Sequence, residues 1–567
     1  MIADLSPALI LILGAVFLPL VPRSLRAAAM LALPIVALAQ LLSLPLGEVG
    51  KVEMMGMTLT TLRLDSLSFV FGLIFLVATI LAVVYALHEK DLVQNVAALA
   101  YAGSALGAVL AGDLVTLFFY WEGTAISSVF LIWASRSERA YRAGIRYLIV
   151  QVGSGVLLLA GLMFHYRATG SIAFGALGLD GSIGKYLIFA AFGIKCAFPL
   201  LHNWLHDAYP EATVTGTVFL SSFTTKLAVY ALARSYAGTE ILIPIGAVMT
   251  LFPIFHAMIE NDLRRVLSYS LISQLGFMVV GIGIGTELAL NGAAAHAVSS
   301  ILYKSLLFMS VGAVILRLGT GKASELGGLV RSMPWTTGFC LVGAASIAAL
   351  PLFIGFISKS MIITAAMKGG YFWTWLVLLL ASAGAVLHTA IKIPLKAFFA
   401  APPPGRPAGN SEAPPNMLLA MGLTAALCIA IGVYPDPLYA ILPFKVDYIP
   451  YTFDHILAQI QLVALAALAF AIVMKMGLYP KELPATNLDS DWLWRRLGSR
   501  LLRGMDIVTT QAWTGFATGI ASNCKRLGKG LQATHGPDGI FGRTWPTGTM
   551  AFWTTVMLGA YLVLAYI

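Results

Sequence analysis

The sequence predicts an all-α, polytopic membrane protein, and three observations favour this fold class. Of its 567 residues, 59% are hydrophobic and 11% are charged, whereas soluble domains carry about 25% charged residues. Apolar windows of about 20 residues, enough to cross a ~30 Å hydrocarbon core, recur from residue 6 to residue 567. The short alternating segments of a membrane barrel are not apparent, so we expect the spans to be helices.

We predict sixteen spans along the chain. They lie near residues 6–22, 27–45, 63–86, 93–111, 114–134, 143–166, 184–205, 213–234, 241–258, 266–286, 290–316, 336–368, 372–398, 416–435, 454–477 and 548–567. The expected regions are N-terminal transmembrane helices (1–92), a first five-helix repeat (93–235), a second, inverted repeat (236–400), C-terminal transmembrane helices (401–480), an amphipathic lateral segment (481–545) and a terminal transmembrane helix (546–567).

Prolines indicate that two of these spans are broken. In the seventh span Lys195 precedes Pro199, and in the twelfth Pro351 precedes Lys359. A proline removes a backbone donor and interrupts its helix. Because the two spans are five apart, an odd number, two five-helix units around them would have opposite topology, as in many transporters.

Basic residues set the expected orientation. Loops that leave odd-numbered spans are richer in Lys and Arg, as at Arg136, Arg139, Arg142 and Arg146. By the positive-inside rule these loops are cytoplasmic, which places the N-terminus outside. The same loops account for the net charge of +10, so we expect no nucleic-acid partner.

The segment before the last span has a helical apolar face. Its apolar or small residues recur every three to four positions, at Leu497, Leu501, Met505, Val508, Ala512, Phe516 and Ile520. This pattern predicts an amphipathic helix that lies along the membrane or a partner. Several glycines leave a broken interfacial segment as the alternative.

Ionisable residues inside the spans are the candidate functional groups. A charge at bilayer depth costs at least a few kcal/mol, so such residues point to function. Burial disfavours an ammonium and a nearby carboxylate favours it, so Glu122 in "FFYWEGTAI" and Lys195 form a candidate charge switch. A structural ion pair is the alternative. The other members of a proton path are Lys226, His296, Lys304 and Lys359, with His388 and Lys392 as secondary candidates.

The segment "HNWLHDAYPEA" follows the broken seventh span. His202 and His206 have the spacing of a metal pair on a helix, but no third ligand is apparent, so we expect no metal. His206 and Asp207 are instead candidates for a polar exit or gate. No phosphate loop or cysteine cluster is present, and we expect no cofactor.

Several motifs in order carry a family resemblance. They are "YWEGTAISSVFLIW" (120–133), "GIKCAFPLLHNWLHDAYPEATVTGTVFLSSFTTKLAVYAL" (193–232), "ENDLRRVLSYSLISQLGFM" (260–278), "HAVSSILYKSLLFMSVGAVI" (296–315) and "PLFIGFISKS" (351–360). The chain resembles the antiporter-like subunits of respiratory complex I. It resembles more closely the D subunit of Mrp-type cation/proton antiporters and the counterparts of that subunit in membrane-bound hydrogenases.

The resemblance implies about fourteen core helices with two inverted repeats. It also implies a functional Glu in the fifth span facing a Lys in the seventh, here Glu122 and Lys195. A connecting Lys226, then His296 and Lys304, and a terminal Lys359 complete the implied path. The amphipathic tail with its extra span resembles the lateral helix of a complex I subunit.

The expected function is proton translocation in a multisubunit complex of a bacterial or archaeal inner (plasma) membrane. Within this function, Mrp-type Na⁺/H⁺ antiport is the preferred hypothesis. The expected partners are other membrane subunits, the lipid bilayer, protons and Na⁺. The first alternative is the pumping module of a hydrogenase or NADH dehydrogenase. The second is energy coupling for uptake of inorganic carbon. A scaffold without transport gives no reason for ionisable groups in so many spans.

Overall fold

The computed structural model describes residues 6–54, 56–401, 411–480, 487, 489–544 and 546–566. The chain divides into two compact units, Met1–Asn487 and Leu488–Ile567. Both units are helical, and the first contains the predicted site residues.

The helices of the first unit follow the predicted spans closely. The N-terminal ones are α1 (Pro7–Phe17), α2 (Arg26–Ser43) and α3 (Ser66–Ala86). The next group is α4 (Leu92–Leu110), α5 (Leu114–Trp133), α6 (Glu138–Thr169), α7 (Ile183–Cys196), α8 (Asn203–Ala208), α9 (Val214–Ser222) and α10 (Thr224–Ser235). A matching group is α11 (Leu242–Ile259), α12 (Leu263–Ile284), α13 (Glu287–Leu318), α14 (Pro334–Ile347), α15 (Ile354–Lys368) and α16 (Phe372–Ala385).

The rest of the first unit completes the membrane region. From α16 the chain continues through a π-helical turn (Val386–Ile391), α17 (Lys392–Pro394) and a second π-helical turn (Leu395–Phe399). The helices α18 (Pro415–Val433), α19 (Asp436–Ala440) and α20 (Phe453–Lys475) follow. Over the described residues, twelve helices are long and apolar enough to cross a membrane. The other four predicted spans coincide with the short α1 and with three helix pairs, α7 with α8, α9 with α10, and α14 with α15.

A β-hairpin between α2 and α3 is an addition that we did not predict. Its strands are β1 (Gly47–Met54) and β2 (Met57–Leu64), which pair antiparallel. Leu59, Leu62 and Leu64 of β2 are buried. The hairpin lies in a segment that is too polar to span a membrane, and its sequence is equally compatible with a loop.

Both proline breaks are present, and they share one backbone geometry. In the first, Ala197 and Leu200 have φ of 62° and 69°; in the second, Ala349 and Leu352 have φ of 56° and 73°. Positive φ is uncommon outside glycine and costs of order 1–3 kcal/mol where the structure enforces it. The same strained turn at corresponding positions supports the two-repeat architecture.

Backbone pairing outside the helices shows the repeat as well. In each repeat the start of the second helix pairs with the loop after the third through two hydrogen bonds: Leu114 N to Ile172 O and Phe174 N to Gly112 O in the first, Leu263 N to Gly321 O and Ala323 N to Asn261 O in the second. Because five spans separate equivalent helices, equivalent helices run in opposite directions.

The second unit contains α21 (Asp491–Leu493), a π-helical turn (Trp494–Gly498), α22 (Ser499–His535) and α23 (Thr547–Tyr566). The 37 residues of α22 extend about 55 Å at 1.5 Å per residue. The helix is continuous through its internal glycines, so a segment broken at those residues is excluded. Among the described residues of this unit, only α23 is long and apolar enough to span a membrane.

Asp113 joins the hairpin to α5. Its carboxylate is 2% exposed and accepts hydrogen bonds from Thr60 N, Thr116 N and Thr116 Oγ1, each at 2.7 Å. It therefore caps α5 and holds β2 against it.

We expect Asp113→Ala to lower the thermal midpoint of the purified chain in detergent. Loss of a helix cap together with a buried hydrogen-bond acceptor costs about 1–3 kcal/mol. Asp180→Ala is the control because Asp180 pairs with Lys185 at an exposed site, where ion pairs contribute little. Equal midpoints for the two variants would contradict the role given to Asp113.

Candidate functional site

Lys195 lies in the last turn of α7, directly before the first break, and it is fully buried. Its Nζ donates to Trp121 O at 2.6 Å and to Thr124 Oγ1 at 2.7 Å. The same ammonium lies 4.3 Å from the centre of the Trp121 ring, a favourable cation–π distance. Three groups of α5 thus bind one buried lysine.

Glu122 lies between these two ligands on α5. It does not form an ion pair within 4 Å of Lys195, although the two charges interact at longer range. Among the described residues its Oε1 has no hydrogen-bond partner. The resemblance implies that these side chains face each other; in this structure the lysine instead contacts α5 on either side of the acid.

Gly155 on α6 provides the space for the Glu122 side chain. A Cβ at position 155 would overlap Glu122 Oε1, whereas a Cβ at Gly153 would meet nothing within 4 Å. Gly155 was not among the predicted site residues. The only available signal was the pair of glycines in "VGSGV" at the position where α6 packs on α5.

Lys226 lies at a helix break that we did not predict. The eighth span is divided at Phe223 into α9 and α10. Lys226 Nζ donates to Ser221 O at 2.7 Å, near the end of α9, where carbonyl groups lack helical partners. A lysine at a helix C-terminus also complements the helix dipole.

Lys359 on α15 uses a helix end in the same way. Its Nζ donates to Ile347 O, the last residue of α14, at 2.7 Å. The ammonium also lies 5.3 Å from the centre of the Phe277 ring. The second break therefore supplies the acceptor for Lys359.

His296 and Lys304 lie on α13, and both are fully buried. His296 Nδ1 is 3.0 Å from Ser358 Oγ, next to Lys359 in the chain, and its Nε2 is 3.4 Å from Tyr303 Oη. Lys304 Nζ donates to Ser270 Oγ at 2.6 Å. Both residues contact hydroxyl groups that accept and donate protons.

The secondary candidates of the thirteenth span have different surroundings. Thr389 Oγ1 donates to Ser270 Oγ at 2.8 Å, which connects this span to Lys304. His388 Nδ1 is 2.6 Å from Gly384 O. Lys392 Nζ instead donates to the carbonyl groups at the end of α11, namely Ala257, Met258 and Glu260, at 3.1, 2.8 and 2.7 Å.

His206 and Asp207 lie on α8 beyond the first break. Asp207 forms an ion pair of 2.7 Å with Arg146 on α6. The His206 ring stacks on Tyr269 at 4.7 Å, and Tyr269 stacks on His256 at 5.1 Å. These contacts join α8 to α6, α11 and α12 and do not reach the lysines described above.

The structure brings the main candidates into one buried group. Cys196, next to Lys195, interacts with Lys226. His296 interacts with the charges of three lysines, Lys226, Lys304 and Lys359. His388 lies close enough to interact with the charges of Lys304, Lys392 and Lys359. A row of ionisable groups therefore connects the two repeats.

These features define the class of protein as a polytopic membrane protein with ionisable residues buried among its spans. Residues 111–385 match the family model described as NADH:quinone oxidoreductase/Mrp antiporter, TM, so this part of the chain is similar to that family.

Individual known proteins are similar to the chain as well. The chain is 26% identical to hydrogenase-4 component B of Escherichia coli over 66% of its own length and 62% of that protein. It is 31% identical to the D subunit of an Na(+)/H(+) antiporter of Alkalihalophilus pseudofirmus over 46% of its length and 56% of that protein. It thus spans less than two-thirds of either relative.

A solved structure shows the same fold over nearly the full length. A chain of the membrane-bound sulfane sulfur reductase, an archaeal respiratory membrane complex, matches with a TM-score of 0.71 at 23% identity. The match covers 99% of both chains. The shared fold therefore includes the C-terminal unit.

We expect Gly155→Ala to reduce at least tenfold any proton transport that depends on Glu122, because an added methyl group displaces the Glu122 carboxylate. A tenfold change in rate corresponds to about 1.36 kcal/mol. Transport is measured in vesicles that contain the assembled protein. Gly153→Ala, two residues away on the same helix, should transport normally. Glu122→Asp combined with Gly155→Ala should recover part of the loss, since the shorter acid leaves room for the methyl group. Normal transport by Gly155→Ala alone would contradict the packing argument.

Proposed function

We propose that this chain is a proton-translocating, antiporter-like subunit of a multisubunit complex in a bacterial or archaeal plasma membrane. One observation carries the proposal: Lys195, Lys226, His296, Lys304 and Lys359 are each at most 1% exposed and lie on adjacent spans at or between helix breaks. Such residues are rare within membranes and mark proton relays. The similarity to a component of an Na(+)/H(+) antiporter favours Mrp-type cation/proton exchange as the overall activity.

Glu122 controls the first step in this proposal. With its carboxylate away from Lys195, the lysine is held by a carbonyl, a hydroxyl and a ring. Movement of the acid toward Lys195 stabilises the ammonium by direct attraction. Movement away weakens that attraction, and the proton passes from Lys195 Nζ toward Lys226.

Repulsion between like charges drives the later steps. Because His296 interacts with three lysines, a proton that arrives at one site raises the energy of protons at its neighbours. Each arrival therefore favours release at the far end, from Lys359 or through the Ser270 and Thr389 hydroxyls.

Buried polar atoms support water between the groups. Within the described part of the chain, several have no protein partner: Gln151 Oε1 and Nε2, Thr225 Oγ1, Gln274 Nε2, Ser300 Oγ and His388 Nε2. Buried polar groups usually bind water when protein partners are missing. These atoms lie on the helices that carry the row or pack against it, so we place connecting waters beside them.

The second candidate function is the pumping module of a redox complex. It is supported by the respiratory reductase chain, whose fold matches this chain over 99% of its length, including the C-terminal unit. Identification of the subunits that co-purify with the chain distinguishes these two candidate functions. Small cation-antiporter subunits favour the first function, and Fe–S or flavin subunits favour the second.

Orientation is also part of the proposal. We place the N-terminus outside the cell and the α5–α6 connection inside, which is supported by the arginines of that connection. Arg139 and Arg146 pair with Glu211 and Asp207, so the acidic α8 end lies on the same side.

We expect Glu122→Gln and Lys195→Ala to abolish proton-coupled transport while assembly survives. Each change removes one charge of the proposed switch. Transport is measured as proton movement in vesicles, and assembly as recovery of the intact complex. Lys322→Ala is the control, because that lysine is exposed and pairs with Glu325. Wild-type rates in assembled switch variants would refute the proposed role.

We expect deletion of residues 487–567 to impair assembly more than proton chemistry. Apolar side chains of α22 are exposed, and an exposed apolar face of this kind indicates an interaction surface. Recovery of the complex after affinity purification measures assembly. A truncated chain that joins the complex normally would show that the tail is not a docking element.

A further inference from the structure

A basic cavity lies where α2, α3 and α4 begin or end, far along the chain from the proton path. Its volume is about 710 Å³. Arg23, Arg26 and Lys90 line it together with a single acid, Glu89. The cavity therefore carries net positive charge.

The cations differ in how they are held. Arg26 donates from Nε to Val21 O at 3.0 Å and from Nη2 to Pro19 O at 3.3 Å, so its guanidinium is fixed in place. Arg23 and Lys90 form no ion pair with any residue that the structure describes. Glu89 Oε1 accepts hydrogen bonds from the backbone N–H groups of Lys90 and Asp91 at 2.9 and 3.0 Å. The carboxylate therefore binds the backbone of the turn that follows it.

The remaining lining is apolar. Ala27, Met30, Leu87 and Leu92 form walls beside the cations. These residues lie in the first or last turns of three spans or next to them, where spans that cross a membrane approach its polar surface. The cavity thus combines basic side chains at helix ends with an apolar wall beside them.

We propose that this cavity binds an anionic phospholipid, with the phosphate on Arg23, Arg26 and Lys90 and the acyl chains along the apolar wall. Basic pockets between spans on the cytoplasmic side are suited to such headgroups, because that leaflet carries the anionic lipids. The cytoplasmic placement rests on the orientation proposed above: Arg136 belongs to the α5–α6 connection, which we place inside, and it pairs with Asp91 at 2.6 Å beside the cavity. Inorganic phosphate has no apolar part that could contact this wall, whereas a phospholipid has acyl chains, so the cavity favours a lipid.

The test measures binding of phosphatidylglycerol and phosphatidylcholine to the purified, delipidated complex by native mass spectrometry. In the double variant Arg23→Gln with Lys90→Gln, binding of phosphatidylglycerol should weaken about tenfold or more, since each basic residue near the surface contributes to attraction of anionic lipid. Binding of phosphatidylcholine should not change. Arg142→Gln with Lys322→Gln removes the same charge from exposed sites elsewhere and should bind like the wild type.

A second variant pair separates the cavity from general surface charge. Ala27→Trp fills the cavity without changing charge and should also weaken binding. Ala28→Trp, its exposed neighbour outside the lining, should not. Loss in the charge variant without loss in Ala27→Trp would overturn the proposal, and so would displacement of the lipid by excess inorganic phosphate. Another protein chain found in the cavity of the intact complex would also overturn it.

Discussion

Lys195 donates to the carbonyl of Trp121 deep in the bundle, and the architecture of the site depends on this kind of contact. An ammonium buried in a membrane needs oxygen acceptors, but a regular helix uses its carbonyl groups internally. Helix breaks provide the remaining acceptors: Lys226 binds Ser221 O and Lys359 binds Ile347 O. At the second proline break, the strained turn and the buried lysine are therefore parts of one arrangement, because the end of α14 leaves Ile347 O available to Lys359.

Sequence patterns predicted the parts of this arrangement that depend on local sequence. Pro199 and Pro351 identified two breaks, and buried charges identified the lysines. The break at Phe223 has no proline or glycine to indicate it, since the span turns within the hydroxyl-rich run "SSFTTK". Gly155 was missed because its role depends on the neighbouring helix. The lysine contacts on either side of Glu122 depend on side-chain packing, which spacing does not specify.

Spacing on one helical face also failed to separate the proposed proton path from structural contacts. His388 and Lys392 are four residues apart, and spacing alone predicts the same role for both. The structure shows His388 beside the lysine row, whereas Lys392 caps the carbonyl groups of α11. A buried lysine with three carbonyl acceptors is held firmly, which suits a structural role. A lysine with one carbonyl acceptor, as at positions 226 and 359, can break its hydrogen bond more easily.

The inverted repeats explain why the lysines form a row. In the first repeat Lys195 precedes the break, and in the second Lys359 follows it. Because equivalent helices run in opposite directions, these unequal positions place both lysines on the same side of their helix breaks. Lys226 follows its break in a span antiparallel to α7, so it lies on that side too. Charges at non-equivalent positions in an inverted repeat thus lie on one side of their helix breaks, an arrangement that suits the proton transfer between repeats proposed above.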